Sequence, residues 1–461
     1  MSSVADSLDK FFRISERGST VGREIKGGVI TFLAMSYILV VNPYILSNVP
    51  TAAAYGFDAL FTSTALAAII SCILMGIYAR FPVALAPGMG VNTFLAFTIC
   101  IGMGFTYSQG LMVVLLSGVG FFLISITGWR TKILNSIPIS MKHAITAGIG
   151  FFIAVVGLFN AGIIVHGEGS ALAIGHLGDP GVILSLICLF ITLELWYLKV
   201  WWAVIAGMVI TWVAGIIMGI AGMESSYGLI PEWNPDAFVS HPDFSLVFSM
   251  FTDFEMFDST LIVAFLAAFA SLMVVDLFDT TGTLIGVGEA AKLMDENGNL
   301  IDGEKALTVD SVASMTGSIV GTSTTTSFIE STAGIDAGAR TGLMPIVVGA
   351  MFIIALFLSG FFSTFTSACT VGALVMVGIL MIKNVGLIEW DDPVNCGMAF
   401  MTIFMMGLSG SITVGIAAGT FVYVIGMVLT HRSSEISKIL WLLFAVFMSY
   451  LIINQFLIPN L

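Results

Sequence analysis

Two polar interruptions inside otherwise apolar segments constrain this chain more than any other feature. The first is Ala86-Pro87-Gly88-Met89-Gly90-Val91-Asn92, and the second runs from Gly321-Thr322-Ser323 through Thr324, Thr325, Thr326, Ser327 and Phe328 to Glu330. Asn92 and Thr326 are 234 residues apart, and the same separation relates Phe94 to Phe328 and Asn42 to Asp276. Neither stretch can continue as ordinary helix, because Pro lacks an N–H, Gly weakens a helical turn and Ser and Thr hydroxyls compete for backbone groups. At membrane depth such backbone is tolerated only where protein buries it or where it lines a cavity. Matching breaks in two halves of one chain point to a binding site between repeats, near the bilayer midplane.

The surroundings of the breaks are those of a membrane protein. Of 461 residues, 57% are hydrophobic and 10% charged, against about 25% charged in a soluble globule. Apolar runs of spanning length lie near 26–46, 58–79, 110–128, 143–163, 181–198 and 201–222, then near 260–287, 306–320, 342–362, 365–385, 412–430 and 436–458. The segments near 91–104 and 327–338 are too short to cross alone and read as half-helices preceded by short extended pieces. The expectation is an all-α polytopic fold of about 14 elements, arranged as two inverted repeats of seven. Residues 392–411 are apolar enough to span or to lie in the interface. The 234-residue shift lays 181–198 over 415–432 and leaves 392–411 unmatched, so the count of 14 omits it.

Charge placement gives the topology. The N-terminus carries Lys10, Arg13, Arg17, Arg23 and Lys26 and is expected in the cytoplasm. Arg80, Arg130, Lys132, Lys142, Lys199, Lys292, Lys305, Arg340 and Lys383 fall on the same side, whereas the Gly222–Ser259 loop contains no Lys or Arg. The first apolar run, from Val29, reads as a spanning helix rather than a signal peptide. A net charge of −13 argues against a nucleic-acid partner. The five cysteines show neither CxxC nor Cys/His spacing, and Gly88-Met89-Gly90 has no βαβ context, so neither a metal nor a nucleotide cofactor is implied.

Three acidic residues stand within apolar segments: Asp276, Asp279 and Glu330. A carboxylate there costs about 2.5–3.5 kcal/mol on insertion scales, which makes it a functional candidate, although a helix–helix hydrogen bond would also explain it. Asp276 and Asp279 share a helix face that continues through Thr280 and Thr283, while Gly282 and Gly286 would let another backbone approach. Glu330 follows a run of hydroxyls, including Thr324 and Ser327, that can bind a ligand or satisfy the broken backbone. Asn92 can contact ligand or cap its own half-helix. Phe328, beside Glu330, offers a ring that could stack on a planar molecule. No Lys or Arg lies deep in an apolar segment. Such a site suits a neutral molecule that presents N–H groups and moves with a proton or a sodium ion. Binding N–H donors favours ionised carboxylates and crossing empty favours neutral ones, which supplies a basis for coupling.

The sequence resembles the AzgA-like hypoxanthine/guanine permeases of the nucleobase–cation symporter (nucleobase–ascorbate transporter) superfamily. The resemblance rests on Arg17-Gly18-Ser19-Thr20 to Glu24, Thr31-Phe32-Leu33-Ala34-Met35-Ser36-Tyr37-Ile38 to Asn42-Pro43, and Ala86-Pro87-Gly88-Met89-Gly90 to Asn92. It continues through Asp276-Leu277-Phe278-Asp279-Thr280-Thr281-Gly282-Thr283, Gly321 to Glu330, and Arg340-Thr341-Gly342. It implies core and gate subdomains. The segments would be a cytoplasmic 1–25, core at 26–130 and 259–362, gate at 142–222 and 363–461, and an outer loop at 223–258. It also implies proton-coupled uptake of hypoxanthine, guanine or adenine across the plasma membrane. Asp276, Glu330 and Asn92 would contact the base, Asp279 would have a further acidic role, and a homodimer would form through the gate. Thr93-Phe94 departs from the small residue that many members carry after the Asn. Outside this resemblance, the residues also admit an anion carrier of the same architecture, an intramembrane aspartyl hydrolase using Asp276 and Glu330, or a channel. The lack of basic side chains, of a role for the Ser/Thr break, and of a charged pore ring weighs against these three in turn.

Overall fold

The computed structural model describes residues 2–127, 136–167, 172–232, 238–253, 262–293, 300–301 and 303–452. A short amphipathic helix, α1 (Ser2–Phe12), precedes the bundle. The first half comprises α2 (Val21–Met35), α3 (Ile38–Leu46), α4 (Gly56–Leu74), β1 (Leu85–Pro87), α5 (Met89–Thr93) and α6 (Tyr107–Ile126). It continues with α7 (Ile139–Asn160), a small hairpin of β2 (Ile164–Val165) and β3 (Ala173–Ile174), α8 (Pro180–Tyr197) and α9 (Ala203–Ile220). The second half comprises α10 (Ile262–Ala290), α11 (Gly303–Val320), β4 (Thr325–Ser327), α12 (Ser331–Asp336) and α13 (Leu343–Ala355). It ends with α14 (Ser367–Ile382), α15 (Pro393–Ser409), α16 (Ile412–Leu429) and α17 (Lys438–Ile452). Among the described residues, eight helical stretches are long and apolar enough to cross a membrane, with five shorter apolar helices beside them.

The two breaks meet as the extended pairs β1 and β4, which run antiparallel with Leu85 opposite Ser327, Ala86 opposite Thr326 and Pro87 opposite Thr325. The ladder is prolonged by Phe328 N–H to Ala84 O (2.9 Å) and Gly88 N–H to Thr324 O (3.0 Å). Backbone freed by interrupting two helices is thus satisfied by the other interruption, the requirement a bilayer imposes. Gly88 is needed for the approach, since a Cβ there would lie 2.5 Å from Thr326 Oγ1. Gly321 opens the second break at φ +94°, a conformation that favours glycine.

Helices α2, α4 and α13 pack together, as do α4 with α11 and α6 with both α10 and α11, forming one body around the paired breaks. A second body is built on the crossing of α7 with α14. At that crossing the backbones nearly touch. A Cβ on Gly150 would stand 2.5 Å from Met381 Cβ and 2.9 Å from Gly378 O, and one on Gly378 would stand 2.6 Å from Gly150 O. Small residues permit this close packing where no hydrophobic gain drives helices together.

One expectation is corrected. Residues 392–411 are not a leftover segment, because α15 is a helix packed against α7 and α16. In the first half, α8 packs against α14 and α9 in the same way. The counterpart of α8 is therefore α15, and that of α9 is α16; the match of 181–198 to 415–432 does not hold. The constant shift fails here because the α7–α8 connection carries a hairpin and the α14–α15 connection does not. Loop length is free to vary while helix packing is not. With α15 counted, α16 closes the second set of seven and α17 is an added helix against α16 and α10.

Contacts between the helix ends support this order. Arg432, past α16, pairs with Asp392, the N-cap of α15, at 3.0 Å, and Ser437 Oγ donates to Ser136 O at 2.8 Å. The ends of α14 and α16 and the starts of α7 and α15 therefore share one face, together with Lys142 and Lys383, and Arg432 and Lys438 join the other basic residues there. The hydrogen bonds that Arg432 donates to Glu435 and Asp392 raise its pKa and keep it charged.

Gly150→Val forces a branched side chain into the α7–α14 crossing. It is expected to destabilise the detergent-solubilised protein by about 1–3 kcal/mol, read as a lower melting temperature, whereas Gly386→Ala, at a site with open space, should leave melting unchanged.

Candidate functional site

A cavity of about 380 Å³ lies between the two bodies. Its polar wall comes from the first body: Tyr37 from the bend between α2 and α3, Thr283 of α10, Thr326 and Ser327 of β4, and Glu330 ahead of α12. Met89, Phe328 and Ile329 add apolar surface. The opposite wall comes from the second body, with Thr146 of α7, Val377, Leu380 and Met381 of α14, and Asn384 just beyond it. Among the described residues, none that lines the cavity is basic.

Glu330 sits where the second break turns into α12. Its Oε1 accepts a hydrogen bond from Tyr37 Oη at 2.6 Å, at the short end of O–H···O contacts. Tyr37 is 2% exposed, so this hydroxyl is committed to the cavity side of a buried ring. The ion pairs Arg13–Glu16, Arg432–Asp392 and Arg432–Glu435 lie at segment ends, away from the cavity. Glu330 is thus met by a hydroxyl rather than by a cation.

Of the residues the sequence nominated, Glu330, Phe328 and Ser327 line the cavity. Asn92 is fully buried behind it, where Nδ2 donates to Pro87 O at 3.3 Å and Oδ1 accepts from Ser323 Oγ. It braces one break against the other in this conformation. Asn42 does the same from α3, its Nδ2 donating to Thr64 Oγ1 (2.8 Å) and Thr322 Oγ1 (3.0 Å). Thr324 is buried in the break, its carbonyl held by Gly88. Asp276 is 1% exposed and accepts from Ser314 Oγ of α11 at 3.2 Å; it stands behind the cavity wall rather than on it. Asp279 lies in α10, but its side chain, like Gly282 and Gly286, falls outside the described residues.

The sequence reading missed a further buried acid. Asp310 of α11 is 0% exposed, accepting from Thr280 Oγ1 at 2.5 Å and from Ser327 Oγ at 2.9 Å. It ties α10 and β4 to α11 and fixes a hydroxyl that lines the cavity. The clue was available: Thr308, Ser311, Ser314, Thr316 and Ser318 make α11 unusually polar for its place. Glu24, also 0% exposed, accepts from Arg340 N (2.7 Å) and Thr341 N (3.3 Å) and holds the entry to α13. Tyr37, Thr146 and Asn384 were invisible as site residues because nothing local distinguishes them; the fold alone brings them to one cavity.

Two packed helical bodies, paired half-helices and a cavity between them define a multi-pass membrane carrier. The chain belongs to the Permease family (Xan_ur_permease), whose sequence profile matches residues 22–418, and so to the nucleobase–ascorbate transporter group. It is 41% identical over 454 residues to the guanine/hypoxanthine permease PbuG of Bacillus subtilis, covering 96% of this chain and 99% of that protein. It is 37% identical over 447 residues to the adenine permease AdeQ of Escherichia coli, covering 97% and 96%. Among solved structures, the transmembrane domain of the cyanobacterial bicarbonate transporter BicA superposes with a TM-score of 0.60 at 14% identity, covering 86% of this chain and 97% of that one. SLC26A9 gives 0.59 at 12% identity, covering 93% and 69%. These two establish the core-and-gate fold. As a permease the chain is a carrier rather than an enzyme, and the hydrolase reading falls away.

Asp310→Ala strands two buried hydroxyls and opens a void. It should destabilise the solubilised protein by about 1–3 kcal/mol, whereas Asp310→Asn, which can still accept one bond, should recover part of that loss in the same melting assay.

Proposed function

We propose that this chain takes up purine nucleobases by proton symport through the plasma membrane. The observation that carries the reading is the cavity wall on which Glu330 and the Tyr37 hydroxyl meet, with no basic residue lining the space among the described residues. A carboxylate there can accept N–H bonds from the edge of a planar base, and Phe328 offers a ring to one of its faces. The relatives' names, guanine/hypoxanthine permease and adenine permease, agree with such a ligand. An anion carrier would be expected to place a cationic group on the wall.

In this reading Glu330 is the principal acceptor and, with Asp276 and Asp279, carries or senses the coupled proton. Asn92, Thr324 and Ser327 complete the contacts when the site tightens around the base. The body with the breaks, residues 26–130 and 259–362, acts as the core, and residues 142–222 and 363–461 act as the gate. The cavity sits toward the ends of α7 and α14 that carry Lys142 and Lys383. If that basic face is cytoplasmic, along with the N-terminus, the conformation is the inward-open one. Movement of the core against the gate would then expose the site on the other side. A homodimer through the gate would hold the gate still.

Labelled hypoxanthine uptake, in cells lacking their own base permeases, tests this. Saturable uptake that unlabelled purine bases suppress is expected, abolished by dissipating the proton gradient and indifferent to replacing sodium with potassium. Glu330→Ala should lower it by at least about tenfold, the loss of one charge-assisted hydrogen bond, and Asp276→Ala should also reduce it while both variants still reach the membrane. Normal uptake in both variants, or no purine uptake by the unaltered protein, would overturn the assignment.

A further inference from the structure

The wall facing Glu330 is mostly apolar, and its polar side chains are Thr146 and Asn384. Asn384 is held in place from two sides. Its Nδ2 donates to Met381 O at 2.9 Å, and its Oδ1 lies 3.2 Å from Nδ1 of His143 on α7. These contacts tie the end of α14 to the start of α7 and engage one amide hydrogen and one lone pair. The amide retains a second hydrogen and a second lone pair with which to meet a ligand. A polar group fixed by neighbours before ligand arrives is preorganised, so little ordering cost falls on binding.

A purine base is polar around its whole rim. When Glu330 engages N–H groups on one side, the exocyclic substituent on another side must either find a partner or be desolvated without one. An unmatched buried carbonyl or amino group is penalised, and sites built to hydrogen-bond a substituent discriminate strongly against an analogue with the opposite polarity. Leu380 and Met381 cannot supply that partner, and Thr146 spends its one hydroxyl hydrogen on Lys142 O at 3.2 Å, whereas Asn384 can both donate and accept.

We propose that Asn384, oriented by His143, is a specificity-determining residue on the gate wall, reading the exocyclic oxo or amino group of the base at the edge away from Glu330. This rests on the purine-carrier reading above. It assigns discrimination among bases to the gate and base capture to the core. An amide can donate to an oxo group or accept from an amino group, a carboxylate only accepts, and a leucine does neither.

The test is competition of unlabelled hypoxanthine and adenine against a labelled base, in cells and on purified protein. Asn384→Asp should shift the ratio of the two inhibition constants toward the amino-bearing base by about tenfold. Asn384→Leu should weaken whichever base the unaltered protein prefers and bring the two constants together. His143→Phe should loosen the preference with Asn384 still present, a change that a merely structural role for Asn384 would not cause. Where a variant fails to reach the membrane, Asn384→Ser takes its place, too short to span the gap and expected to lose preference likewise. Transport of purine bases by the unaltered protein with an unchanged ratio in these variants, or an equal loss for both bases, overturns this proposal alone. No purine transport by the unaltered protein overturns the carrier reading and this proposal with it.

Discussion

The antiparallel pairing of β1 with β4 is the contact on which the rest of the structure depends. An interrupted helix in a bilayer exposes N–H and C=O groups, each costing several kcal/mol if left unmet. Each interruption here is satisfied by the other, with Ala86 opposite Thr326 at the centre of the ladder. Equivalent segments of inverted repeats run in opposite directions, so antiparallel pairing is the geometry they can adopt. The amides of Asn42 and Asn92 and the Tyr107 hydroxyl, which donates to Gly321 O at 2.9 Å, secure the breaks from outside the ladder. Register follows from this. A slip of one residue would turn the side chains of β4 to the opposite faces and part Ser327 from Asp310.

Around that ladder the buried acids are met by hydroxyls: Glu330 by Tyr37, Asp276 by Ser314, Asp310 by Thr280 and Ser327. A hydroxyl donates to a carboxylate and accepts from a carboxylic acid with little rearrangement. An arginine in the same place would favour the ionised form strongly and leave little room for a change of state. The second body has the opposite character, with close glycine packing at Gly150 and Gly378 and an apolar wall. The polar lining of the cavity thus comes mainly from the first body, with Thr146 and Asn384 the polar side chains on the second.

Much of this was legible in the residues. Gly88 and Gly321 marked the breaks, and the hydroxyl run ending in Glu330 marked the cavity wall. The place of α15 in the repeat was not, because a shift fixed on the breaks cannot track connections of different length. Asp310 went unread although the hydroxyls around it were a clue, because its helix taken as a whole still passed for an apolar span. Tyr37 and Asn384 became site residues through position only, one at a two-residue bend and the other past the end of a helix.

By itself the sequence determined that the chain spans a membrane, that two helices must break at corresponding depths, and that acids lie in apolar segments that hold no Lys or Arg. Those conclusions follow from local chemistry: Pro and Gly cannot sustain a helix, and a charge in an apolar run has few places to go. The tertiary structure decided which acids reach the cavity, which instead brace helices, and which residues form the opposing wall. Those are matters of rotation and register between elements hundreds of residues apart, which side-chain packing and backbone pairing fix and no local pattern encodes.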